Sequence, residues 1–179
     1  MKVFSTIALL MGSEYAMTIG DVEQFIAGLI FGLVQDDDLA EIQKCLKDGS
    51  GLGDEITEAI QDFEQKSMEG VIEGIEEIGK IIQELPADLG DCKNMQGDID
   101  RIEAWAQIFK DPKQLAMTVA KNVMKNYKEI MADGTKTYSD WESSQFYDCG
   151  DDVAEILTLT LGAVPKAGAM PESLEMTQW

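Results

Sequence analysis

The sequence predicts an all-α protein, a compact bundle of six or seven amphipathic helices in a single domain, and three observations carry that prediction. Apolar residues recur at steps of three and four through most of the chain, most plainly over Asp54–Leu85. No stretch keeps the alternation of a half-buried strand. Helix-starting and helix-stopping residues punctuate the periodic runs, as at Asp111-Pro112 and at Gly162. With 179 residues and 45% hydrophobic content, the chain can bury a core of its own.

Taken in order, Met1-Lys2 and the apolar run Val3–Met11 have the layout of a secretory signal. Ala16 could close it, although Glu14 stands where a small residue is expected. Residues 1–16 are therefore read as a signal peptide or as an apolar segment packed on the fold. Residues 17–162 are read as the helical domain, and residues 163–179 as a Gly/Pro/Ala-rich tail.

Asp21–Val34 is the first expected helix, capped by Asp21, with Val22, Phe25, Ile26, Leu29, Ile30 and Leu33 apolar. Gly28 and Gly32 give it a small-residue spacing that lets a second helix come close. It is too short, and too charged at its start, to span a bilayer. Asp36, Asp37 and Asp38 suit the start of a short helix Leu39–Lys47 through its dipole. Asp48–Asp54 is expected to be a loop. As a calcium loop it fails, because Leu52 takes a ligand position and Ala59 stands where a bidentate Glu is required. As a phosphate loop it lacks the Gly-Lys-Ser/Thr ending.

An unbroken helix over Asp54–Leu85 would be about 48 Å long and would hold Cys45 and Cys92 far apart. A turn at Lys66–Ser67, with Ser67 capping a second helix that Pro86 stops, folds the stretch into a hairpin that brings the two cysteines together. Asn94–Phe109 follows as an amphipathic segment with Ile99, Ile102, Trp105, Ala106 and Phe109 on one face. Asp111-Pro112 then opens a helix expected to run to Asp133, stopped by Gly134, with Leu115, Val119, Val123, Tyr127, Ile130 and Met131 inward. Ser139 and Glu142 have the spacing of a capping box, which would open a last helix through Trp141, Tyr147, Val153, Ile156, Leu157 and Leu161.

Charge and composition narrow the function. The chain carries 34 acidic against 14 basic residues, a net −20, which repels nucleic acid and anionic membranes. It has no histidine, so the histidine-based triads and zinc sites are out of reach, and no cofactor or enzymatic activity is expected. The one basic region holds Lys110, Lys113, Lys121, Lys125, Lys128 and Lys136 against Asp111, Glu129 and Asp133. Cys45, Cys92 and Cys149 are too widely spaced for a zinc knuckle or a CxxC motif. In a reducing compartment they would be small core residues; in an oxidising one they would give a disulfide, expected between Cys45 and Cys92, and an odd thiol.

Several short motifs bear on kinship: Phe25 to Leu33 (FIAGLIFGL), Cys45, Ile78-Gly79 ahead of Leu85-Pro86, Asp91-Cys92, and Trp141 followed by the Tyr147-to-Leu161 helix. Over residues 1–162 these resemble small secreted helical proteins of ciliates. The resemblance implies a helical fold and secretion, and no activity, since none is established for that group. It also implies that Cys149 is a gained residue, because an aromatic is expected before Gly150.

The expected function is that of a non-enzymatic secreted protein with a structural or surface role through self-association, as an oligomer or filament. Cys149 as an intermolecular thiol, Trp179 docking on a neighbour and the basic face of Lys113, Lys121, Lys125 and Lys128 are its candidate contacts. The alternatives are a carrier of an apolar small molecule between helices, suggested by ten methionines, and low-affinity Ca2+ binding through Asp36–Asp38 or Asp148, Asp151 and Asp152.

Overall fold

The computed structural model describes residues 17–47 and 50–166. The described residues form eight α-helices and no strand. They are α1 (Ile19–Val34), α2 (Leu39–Cys45), α3 (Ser50–Glu64), α4 (Met68–Asp88), α5 (Gln96–Trp105), α6 (Pro112–Lys125), α7 (Tyr127–Glu142) and α8 (Phe146–Leu161), with 3-10 turns at Lys93–Met95 and Ala106–Lys110. The all-α single domain is as the sequence predicts, with one helix more than the upper expectation.

At the centre α1 lies along α8, and glycine sets the separation. A Cβ on Gly28 would stand 1.9 Å from the carbonyl oxygen of Tyr147, and one on Gly150 would stand 2.1 Å from that of Phe25. Gly32 faces Ala154 and Asp151 in the same way, so the register advances together and the two helices run in the same direction. The spacing of Gly28 and Gly32 is a packing seam inside one chain. Both helices are buried far around their circumference; Phe25, Ile26, Leu29 and Ile30 of α1 and Val153, Ala154, Ile156 and Leu157 of α8 have no exposed surface.

The capping of α1 differs from expectation. Thr18 is the N-cap, and Asp21 sits three residues in, where its carboxylate accepts from the Thr18 N–H as the Thr18 hydroxyl accepts from the Asp21 N–H. The expected loop at Asp48–Asp54 is also corrected, since α3 begins at Ser50. Leu52, buried with Ile56, Ala59, Ile60 and Phe63, extends the apolar stripe back through the glycines.

The α3–α4 hairpin forms where the sequence places it. Lys66 takes φ 51°, Ser67 accepts from the Gly70 N–H, and Gly70 lets α4 pass against the Asp62 carbonyl. Pro86 does not stop α4, which runs on to Asp88. A proline removes one backbone hydrogen bond, and the buried side chains of Leu85 and Leu89 hold the last turn through it.

Two further corrections concern the C-terminal half. The expected helix to Asp133 breaks at Asn126, because Asn122 and Asn126 are drawn sideways to α8. Their amides donate to the carbonyls of Thr160 (2.7 Å) and Leu159 (3.2 Å), which would otherwise be bare at the end of α8. Past the break, α7 continues through Gly134, which is buried against the Phe63 carbonyl and acts as a packing contact rather than a stop. The Ser139–Glu142 pair lies inside the end of α7, so it opens no helix, and Trp141 belongs to α7. The last helix starts at Phe146 after the turn at Ser144, where φ is 59°.

Residues 163–166 pack on the fold through two of their members and Gly162. Val164 is buried, Trp105 Nε1 donates to the Gly162 carbonyl and Arg101 Nε donates to that of Pro165.

Candidate interaction surface

Cys45, at the end of α2, and Cys92, in the turn after α4, form the expected disulfide, their Cα atoms 5.3 Å apart. The hairpin brings them together, and Lys47 adds a backbone hydrogen bond to Asp88 and an ion pair to Asp91 at 2.9 Å. Cys149 is free and fully buried in α8. The expectation of an intermolecular link there is corrected: burial pushes its thiol far above the ordinary range, with Asp152 and Asp140 adding, so it has neither access nor a thiolate. Trp179 and residues 1–16 lie outside the described residues.

The lysines of α6 and its continuation are where the surface departs most from the rest of the molecule. Lys113, Lys121, Lys125 and Lys128 are exposed, and among the described residues the ion pairs, Lys47–Asp91, Lys80–Glu77, Arg101–Asp98 and Lys136–Asp152, include none of them. Helical spacing interleaves two methionines with them. Met117 is 66% exposed and Met124 71%, four and eleven residues after Lys113 and so on its face of α6. Tyr127, expected inward, is 46% exposed, because the break at Asn126 turns α7 away from the line of α6. These are three of the four large apolar side chains exposed among the described residues. At the break lies a cleft of about 400 Å³ lined by Met124, Lys125, Asn126, Tyr127, Lys128 and Glu129.

Sequence reasoning found these lysines but not the exposed methionines, since a methionine in a periodic run carries no sign of which way it faces.

A second surface has the opposite character. Between α3 and α4 runs a cleft of about 330 Å³ lined by Glu58, Gln61, Asp62, Glu73, Glu76 and Glu77. Lys80 offsets part of this charge through Glu77, at 2.6 Å. Asp62 has its carboxyl pushed up by partial burial and by Glu73, Glu77 and Glu58 around it, with Lys80 opposing.

Among the described residues, the aspartates expected to bind calcium form no metal site. Asp152 is buried and held by Lys136, and no group of three or more acidic or cysteine side chains among the described residues could hold a metal ion. A cleft of about 130 Å³ between Ile82, Pro86, Ala106 and the polar chains of Gln83, Glu103, Gln107 and Lys110 is below the size of a small-molecule pocket. No described helix is long and apolar enough to cross a membrane.

Residues 7–161 match the secreted protein B-like (SctB-like) family. The chain belongs to that family. The SctB-like match ends on the last residue of α8, so it takes in every described helix and both surfaces above. It names a family of secreted proteins and carries no restriction to ciliates. No curated protein and no solved structure matches the chain. Membership of a secreted SctB-like family and an intramolecular disulfide both fit an extracellular protein.

Proposed function

We propose that this chain is a non-catalytic extracellular protein that works by associating with copies of itself, in a structural or surface role. The observation that carries the proposal is the strip of exposed lysines and methionines on α6, the lysines without an ion pair among the described residues, set on a molecule of net charge −20. Such a strip is attracted to the acidic remainder of another copy, and its methionines add apolar area to the contact. The lack of histidine in the whole chain supports a role without general acid-base chemistry. The likeness to ciliate secreted proteins is part of this reading and rests on short motifs alone. Light scattering of the full chain across concentration, at low and high salt, tests the association. Mass should rise with concentration and fall with salt; a monomer under every condition, also for a chain ending at Gly162, would refute it.

A further inference from the structure

We propose that the lysine–methionine strip of α6 docks in the acidic α3–α4 cleft of a second copy, joining chains head to tail. The inference rests on the self-association reading and names the two faces that meet. The donor face is Lys113, Lys121 and Lys125 with Met117 and Met124, all exposed and, for the lysines, without an ion pair among the described residues. The acceptor face is Glu58, Asp62, Glu73, Glu76 and Glu77, which outnumber Lys80, paired with Glu77 beside them. Each face has the charge the other lacks. Gln61 and the methylene groups of the glutamates give the methionines something other than charge to lie on.

A second copy is favoured over an anionic membrane because the copy itself supplies a cleft of opposite charge, whose pull on the strip acts at contact distance. The net −20 repels membrane and copy alike and is screened beyond about 8 Å at physiological salt. Because the two faces belong to different helices, the contact is heterologous. It closes into a ring or extends as a filament according to the rotation between copies, and does not stop at a two-fold dimer.

Charge reversal on one face at a time tests the pairing. The variant Lys121→Glu/Lys125→Glu and the variant Glu73→Lys/Glu76→Lys change only exposed residues, so both should keep the circular dichroism and melting curve of the parent. In sedimentation velocity each variant alone should associate at least about tenfold more weakly than the parent. Mixing the two should restore association, because each then meets a face of opposite charge. If the parent associates and neither variant differs from it, the pairing is overturned while self-association stands. If the parent is monomeric throughout, both are overturned. Binding of the parent to phosphatidylserine vesicles that the α6 variant loses, with no association in solution, would assign the strip to a membrane and overturn the pairing. A variant that unfolds is replaced by Met117→Gln/Met124→Gln, which should weaken the parent's association without changing its salt dependence; an unchanged affinity counts against the proposal.

Discussion

Lys136 Nζ stands 2.5 Å from Oδ1 of Asp152 and supplies the counter-charge for a carboxylate that is 1% exposed in the core. The pair joins α7 to α8 and is half-solvated, since Lys136 itself is exposed. Burial pushes the Asp152 carboxyl up to about 7; Lys136 opposes the rise, and the nearby Asp140 adds to it. Replacing Lys136 by Met leaves the carboxylate buried without its charge partner. The expected cost is roughly 2 kcal/mol at pH 8, below the range for a fully buried pair, and much less at pH 5, where Asp152 carries a proton. Urea unfolding at both pH values measures the difference; an equal loss at both would contradict this account.

The same carboxyl belongs to a wider pH dependence. Asp38 is pushed up to about 6 by burial, helped by Asp98, Asp36 and Asp37. Asp133 is pushed up to about 6 by burial, with Glu155 and Glu129 adding and Lys136 opposing. All three lie above the ordinary aspartate range, so between about pH 4 and pH 7 the folded chain holds more protons than the unfolded one. Their stabilising effect is full below about pH 4 and is lost as pH rises through 6 and 7. The melting temperature should therefore fall from pH 5 to pH 8, by roughly 5 °C. Asp152→Asn should flatten the upper part of that curve. A melting temperature that rises over this interval would reverse the sign and reject the assignment.

Gly28 and Gly150 predict a sharp contrast among glycine substitutions. Alanine at either puts a methyl group against the backbone of the facing helix, which has no rotamer to move aside. The expected loss is about 3 kcal/mol or more from overpacking, larger than the helix-propensity gain of about 1 kcal/mol. Gly97, in the first turn of α5, has open space where a Cβ would stand, with nothing within 4 Å. Gly97→Ala should stabilise by about 0.5–1 kcal/mol. Chemical denaturation of the three variants decides, and a Gly28→Ala or Gly150→Ala protein as stable as Gly97→Ala would mean that α1 and α8 do not pack as described.

Removing the Cys45–Cys92 bond tests what fixes α2 to the end of α4. The bond closes a loop of 47 residues, and the chain-entropy relation gives about 3–4 kcal/mol for closing a loop of that size. Cys45→Ala/Cys92→Ala should lower the urea midpoint by the corresponding amount and leave the helical content unchanged at 25 °C, because the α3–α4 hairpin has its own turn and core. Loss of helicity in the absence of denaturant would show that the disulfide defines the fold as well as stabilising it.

The pattern of agreement between sequence and structure has a physical cause. Periodicity locates the helices because burial of one face is a local property of spacing, and the Lys66–Ser67 turn is legible because capping acts within a few residues. The break at Asn126 is not, since it exists to satisfy the Leu159 and Thr160 carbonyls of a helix more than thirty residues away. Gly134 and Pro86 mislead for the same reason: a local stop signal gives way where packing with Phe63, or around Leu85 and Leu89, sustains the helix. The acidic cleft depends on which glutamates the hairpin sets side by side, and no single helix displays it. The burial of Cys149 likewise follows from α8 lying at the centre of the bundle, whereas its sequence neighbours Asp148, Asp151 and Asp152 suggest a surface.

Cys149 gives the last prediction. In an oxidising environment an odd cysteine is exposed to pairing with other thiols, yet here the sulfur is enclosed by the core and its thiolate is strongly disfavoured. Reaction with an aromatic disulfide reagent should be undetectable over minutes in the folded protein, and should reach one thiol per chain after unfolding in guanidinium with the Cys45–Cys92 bond intact. Cys149→Ala should cost about 1–2 kcal/mol through the small cavity it leaves. Cys149→Ser keeps the volume but takes a hydroxyl out of water, at a cost of about 1–3 kcal/mol. Neither change should alter self-association, which in this account runs through α6 and the α3–α4 cleft. Rapid labelling of the native chain, or loss of association in Cys149→Ala, would return the thiol to the surface and to the contact between copies.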